Sequence, residues 1–425
     1  MSLHLIRQID HWQAATQRLS DFQGLASAST WEQLERYTDT FLRARLGASV
    51  RRLQQEADHL MQLARQEGAR EEDILRDLQQ LRRRYLATEV TLDYFGDAIN
   101  TRTNPSLGRH LAALDKLAGA AIERALRPLG HLVPPVMTYI DKGLGASILK
   151  AGLRLWDQRG VNPVAVIKVV RHNIYRPTAL IHEAGHQIAY ALNWNAELAE
   201  VLRRELSSES PVIGNLWAGW SSEIAADAFA FAYTGYGAVA TLHDVLSGGP
   251  NLVFQYRPGA VHPMPYLRTL LGIEMCRLAF GSGPWDDLER NWIASNPLHQ
   301  LEGEIIPWLK LNRLMVPKVA AIVLQRPMRA FGGSSLQQYL PIQEVHPRNL
   351  LQWGSRLGPP NAWPVSDLRN NSLRLLALSV YKQVTESYQS PAFRREMDHW
   401  FSRLTDWPSL HHSQPQTAPA LLGEY

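Results

Sequence analysis

The sequence predicts an α+β fold, predominantly helical, in which one small and mostly antiparallel sheet packs on a buried helix and an N-terminal helical hairpin precedes both. Three observations predict it. Apolar residues recur at alternating steps of four and three over 46–64 and at similar steps over 74–85, the seam of packed helices. The stretch 131–170 is broken by prolines and glycines into short β-prone runs. Two later segments, 178–192 and 221–234, are apolar on nearly every side, as helices enclosed by a core are.

The first region, 1–130, is expected to be helical. Leu46, Val50, Leu53, Ala57, Leu60 and Ala64 make one seam, and Ile74, Leu78, Leu81 and Tyr85 make another, with Gly68 in the polar turn between them. Short turns between periodic helices make antiparallel hairpins. This one reads first as structural support, and its surface is open to a protein partner. A third helix over 105–129 carries Leu111, Leu114, Ala118 and Ile122 at helical spacing. The second region, 131–280, begins with strand candidates at 136–140, 147–155 and 164–170, and then a helix start at Pro177-Thr178 with Thr178 as its N-cap. The third region, 281–410, continues a helical run that starts with a helix at 266–280. Further helices are expected at 286–294, 301–324, 334–339 and 367–388, and 411–425 reads as a loose tail.

Composition narrows the function classes. With 45% hydrophobic and 20% charged residues among 425, the chain has the make-up of a globular protein large enough for a sizeable core. The net charge is only +4 and the basic residues are scattered, so no nucleic-acid partner is expected. Cys276 is the single cysteine, which excludes an intramolecular disulfide. The most apolar stretches contain Asp227 and Lys318, so no membrane span is expected. The first residues hold no apolar signal core. The expectation is a protein cytoplasmic at its origin, with signal-independent export left open.

The chemistry is carried by "RPTALIHEAGHQIAYAL", residues 176–192. His182 and His186 are four apart, so a helix stacks them one turn apart on one face, where two imidazoles can grip one zinc ion. Glu183 is turned about 100° from His182. It can stand beside the metal and act on water as general base without being a ligand. An ionised glutamate in so apolar a helix is costly to bury unless a cation compensates it. The plain structural alternative is a core helix whose histidines bond to backbone carbonyls.

A catalytic zinc needs a third protein ligand. The metzincin pattern is excluded, because Ala189 and Leu192 stand where it requires glycine and histidine. Residues 219–235 offer a second apolar helix, started by Ser221-Ser222 and stopped by Thr234-Gly235, whose only charges are Glu223 and Asp227, four apart. Glu223 is the preferred ligand. Asp227, one turn on, can accept the free ring N–H of a ligand histidine. Glu205 is the main rival, with Glu197, Glu200 and Glu209 behind it on a segment rich in arginine that reads as solvated.

H-E-x-x-H on one helix with E-x-x-x-D on a later one resembles the thermolysin-like gluzincin class of zinc metallopeptidases. The resemblance spans about 164–235. It implies His182, His186 and Glu223 as zinc ligands, Glu183 as general base and Asp227 as the carboxylate behind the ligand histidine. It also implies an oxyanion donor downstream of Glu223. His262 in "RPGAVHPMPYLR" is the first choice, Tyr233 and Tyr256 are reserves, and Tyr266 and Arg268 are further possible substrate contacts. His172 is expected to be structural or at the rim. No G-x-M-x-N pattern is present, which favours an endopeptidase over an aminopeptidase. The expected function is therefore zinc-dependent hydrolysis of a protein or peptide substrate. Two alternatives remain open: a non-catalytic binding or regulatory protein around a structural zinc, and a zinc hydrolase acting on a non-peptide amide.

Overall fold

The computed structural model describes the chain except for residues 157–159, 302–304, 358–362, 387–390 and 407–425. The expected tail at 411–425 and the ends of the expected helices at 301–324 and 367–388 lie partly or wholly outside the described residues.

The two seams form an antiparallel hairpin, Arg36–Ala64 against Glu71–Asn100. Leu53, Ala57, Leu60, Ile74, Leu78 and Leu81 close on one another along it. A helix over Leu3–Arg18, which the sequence reading did not single out, lies on the hairpin and contributes Leu5 and Ile9 to the same cluster. The Pro105–Leu126 helix follows, started by Asn104, whose side chain accepts from Ser106 N and Leu107 N. It ends short of the expected residue 129 because Pro128 has no N–H to continue the ladder, and Arg127–Leu129 tightens into a 3₁₀ turn.

The sheet has three strands: β1 (Val136–Ile140), β2 (Ser147–Leu149) and β3 (Ala165–Val169), in the order β1-β3-β2. It is mixed rather than mostly antiparallel. β1 runs parallel to β3, from Val136 opposite Ala165 to Ile140 opposite Val169, and β2 runs antiparallel to β3 over Ser147–Leu149. β3 takes the centre because it is apolar on both faces. Ala165, Ile167 and Val169 join the main core, while Val166 joins a second cluster with Met137 and with Leu42, Leu46, Phe95 and Ile99 of the hairpin. β2 stops well before the expected residue 155. There Asn162 Nδ2 donates to Leu149 O and Lys150 O, and Ala151 N donates to Gln187 Oε1, which draws the chain off the sheet.

One apolar core then runs from Leu111 to Leu404. It encloses two helices, Thr178–Ala191 and Ser221–Thr234, which are each other's most extensive helical neighbours. Around them stand Tyr236–Leu246, Pro265–Phe280, Pro284–Ser295, Ile305–Gln325 and Val365–Thr385. Among the described residues, no helix is long and apolar enough to cross a membrane.

Candidate metal centre

The Thr178–Ala191 helix carries the H-E-x-x-H residues, and Leu180, Ile181, Ala184, Ile188 and Ala189 bury its remaining faces. Thr178 is not its N-cap. Pro177 holds that place, and the Thr178 hydroxyl is hydrogen-bonded to that of Thr241 on the neighbouring helix. The Ser221–Thr234 helix ends as expected at Gly235, whose φ of +58° suits glycine best. The two helices approach closely because Gly185 has no side chain. A Cβ there would lie 2.9 Å from Ala226 O and 3.0 Å from Phe229 Cβ.

This approach brings together side chains separated by 37 residues of sequence. His186 Nε2 lies 3.3 Å from Glu223 Oε1, and His182 Nε2 lies 3.5 Å from Glu223 Oε2. One ligand atom from each of His182, His186 and Glu223 falls within 4.8 Å of the other two. Zinc bonds of about 2.0–2.1 Å at tetrahedral angles would set donors roughly 3.3 Å apart, close to the two histidine–Glu223 separations, so the three residues could hold such an ion. The outward-facing ring nitrogens have partners as well. His182 Nδ1 lies 2.8 Å from Asp227 Oδ1, and His186 Nδ1 lies 3.3 Å from Ser222 Oγ. Behind them Arg268 is buried, with Nε and Nη2 on the two Asp227 oxygens at 2.7 and 2.8 Å and Nη2 on Glu223 Oε2 at 2.9 Å.

Charge follows from this packing. Burial opposes ionisation of Glu223, but hydrogen bonds from His182 and His186 and the charge of Arg268 outweigh it and hold the carboxyl well below the usual range. Asp227 is likewise lowered against its burial, by Arg268 and His182. Glu183 feels the charges of His182, His186 and Arg268, but among the described residues no hydrogen bond or salt bridge holds its carboxyl. Burial pushes its pKa up, with Glu223 adding to the rise and the two histidines resisting it. The two helices thus hold two carboxyls, Glu223 and Asp227, below the usual range and a third, Glu183, above it.

The cluster opens into a pocket of about 270 Å³ lined by His182, Glu183, Glu223, Asp227, His262 and Arg268. Its far wall is apolar, with Val239, Leu242, Val245 and Leu246 from one helix and Leu271 and Met275 from another. His262 reaches the centre from its loop. Its Nε2 is 3.4 Å from Glu223 Oε1, and its side chain is 65% exposed.

Not every expected residue is there. Tyr233 is buried and donates to Ala121 O. Tyr256 packs on Trp308, and Tyr266 packs between Phe254 and Trp292. None of the three tyrosines lines the pocket. Arg268 does line it, but its guanidinium is committed to Asp227 and Glu223. His172 is exposed beside Asn173, and it is Asn173 that reaches the pocket. The rival acids have other partners. Glu205 pairs with Arg326 at 3.0 Å, and Glu209 is exposed. Glu197 is not solvated, since it accepts from Arg329 N and Ala330 N. The interval between His186 and Glu223 holds two packed helices, Trp194–Leu206 and Pro211–Gly219. Sequence reasoning missed Ser222 as a partner for His186, although its place next to Glu223 was a usable signal. It also missed the apolar wall, which is marked only by ordinary helical periodicity.

No protein-family model matches the sequence, and neither a curated protein nor a solved structure matches it.

Proposed function

We propose that the chain is a zinc metallopeptidase of the gluzincin type, an endopeptidase, in which His182, His186 and Glu223 hold the ion. One observation carries the reading: His182, His186 and Glu223 each bring one ligand atom within 4.8 Å of the other two, while Nδ1 of His182 rests on Asp227. A bound zinc ion would supply Lewis acidity, polarising the scissile carbonyl and making water nucleophilic near neutral pH.

The chain's own residues supply the rest. Glu183, buried and raised in pKa, takes a proton from the attacking water and returns it to the leaving amine. His262, exposed at the mouth of the pocket, donates to the oxygen on which negative charge develops. Asp227 fixes the orientation of the His182 ring and keeps Nε2 pointed at the metal position. The apolar wall excludes water from one side and receives an apolar part of the substrate. Glu183, beside the ligand set and facing the same pocket, supports catalysis over a purely structural zinc, which has no use for a base. With this reading goes a protein cytoplasmic at its origin, with signal-independent export left open, since a single cysteine, buried here, makes no intramolecular disulfide.

Metal analysis of the purified protein, combined with Glu183→Gln, tests this. We expect about one zinc per chain in both proteins, and cleavage of a broad peptide panel by the wild type alone. A metal-free wild type would remove the reading altogether. Glu223→Ala should lose the ion and Glu205→Ala should keep it. The reverse result would move the third ligand to Glu205.

A further inference from the structure

One cation beside the site has no role in the reading above. Lys150 directly follows β2, and its backbone is clamped. Asn162 Nδ2 donates to Lys150 O at 3.0 Å, and the next residue, Ala151, exchanges hydrogen bonds with Gln187 at 2.8 and 3.4 Å. Gln187 is four residues past Glu183 and so shares its helix face. This holds Lys150 against the face that bears the proposed base. Its ammonium lies 5.8 Å from the centre of the Tyr190 ring, one turn further along that face. Gly152 leaves room for the ring, since a Cβ there would come within 3.3 Å of Tyr190 Cε1. Tyr190 is 41% exposed, so the surface beside Lys150 is open to solvent.

Among the described residues, no carboxylate forms a salt bridge with Lys150, although it is half-buried. Burial pushes its pKa down, and the fields of Glu183 and Glu223 push it back up. A partly desolvated ammonium without a fixed counter-ion gains most when a ligand brings the counter-ion.

The placement along β2 adds a length. Leu144, Gly145 and Ala146 line the apolar pocket at one end of β2, and Lys150 stands just past the other. At about 3.3 Å per residue, Ala146 and Lys150 are roughly 13 Å apart. An extended peptide lying beside β2 would cover that distance in about four residues.

We propose that Lys150 is a specificity-determining residue that binds a carboxylate of the peptide substrate about four residues from an apolar side chain held in the pocket. The carboxylate belongs either to an aspartate or glutamate side chain or to the peptide's C-terminus. The proposal takes its substrate class from the peptidase reading.

The test profiles zinc-loaded wild type, Lys150→Gln and Lys150→Glu on peptide mixtures that vary in charge around an apolar anchor, each with a free and an amidated C-terminus. The wild type should favour acidic peptides. In Lys150→Gln the ratio of acidic to neutral kcat/KM should fall about tenfold, and in Lys150→Glu the preference should turn to lysine and arginine. Loss of the preference on amidation identifies the C-terminal carboxylate, and its survival identifies a side chain. Fluorescence anisotropy with the same peptides on zinc-loaded Glu183→Gln, with and without Lys150→Glu, reads recognition without turnover. Cleavage with one profile in all three proteins overturns the role of Lys150 and leaves the peptidase reading standing. Lys150-dependent binding without cleavage by the wild type keeps the carboxylate site and overturns the peptidase reading. A wild type that neither cleaves nor binds overturns both.

Discussion

Asp227 Oδ1 lies 2.8 Å from His182 Nδ1, and the same carboxylate is gripped from behind by Arg268. The imidazole is therefore held by an acid that is itself held, and its Nε2 faces Glu223. Partners behind a ligand histidine set both its ring orientation and its basicity, and losing one costs about 10–100-fold in metal affinity. Asp227→Asn should lower zinc affinity by that amount, measured by competition with a chromophoric chelator. Unchanged affinity would show that the Asp227 charge does not orient the ligand.

The same geometry predicts a pH dependence. Burial works against a charged His182, but the Asp227 charge and the hydrogen bonds to Asp227 and Glu223 prevail and push its pKa up to about 10. In the metal-free protein the ring is then protonated throughout the neutral range, and an ion can bind only by displacing that proton. Apparent zinc affinity should rise by about tenfold per unit between roughly pH 7 and 9 as the competing proton becomes scarce. Dissociation constants measured across that window decide the matter. A flat profile would mean that the metal-free ring is already neutral.

Gly185 sets the distance between the two helices. Gly185→Ala would drive a methyl group against the Ala226 backbone, at 2.9 Å from its carbonyl oxygen, where no side-chain rotation can relieve the clash. Overpacking of this kind costs about 1–3 kcal/mol, to be read from urea denaturation. Zinc affinity should fall with it, because His182 and His186 move relative to Glu223. Full stability with full zinc affinity would show that the helices can part without disturbing the cluster.

A buried ion pair ties the Pro105–Leu126 helix to β1. Arg102 Nη2 donates to both Asp115 oxygens and to Thr138 O, while Asp115 Oδ1 accepts from Thr138 N at 2.6 Å and from its hydroxyl at 2.8 Å. Both side chains are buried. Removing one partner strands the other, so Asp115→Ala should cost about 3–5 kcal/mol in equilibrium unfolding. The double change Arg102→Met with Asp115→Leu should recover much of that loss. If the double variant were no better than the single one, the pair's hydrogen bonds rather than its charges would be holding the strand.

Much of the candidate site is legible in the sequence because its features are local. The spacing of His182 and His186, and of Glu223 and Asp227, places each pair on one helix face whatever the surroundings. The apolar residues around them require both helices to be buried. The hairpin seams over 46–64 and 74–85 are local in the same way. What only the tertiary structure decided depends on partners distant in the chain. The parallel pairing of β1 with β3 joins segments that neither periodicity nor turn chemistry connects. The placing of Tyr233 against Ala121 rather than in the pocket depends on which face of a helix apolar all round meets which neighbour. Arg268 is drawn in by two carboxylates about 40 residues away, and Lys150 is set by the bond between Ala151 and Gln187. A sequence read alone records which charges need partners. Which partner each one meets is decided when the core closes, because the cost of burying a charge is cancelled only by the group that is buried beside it.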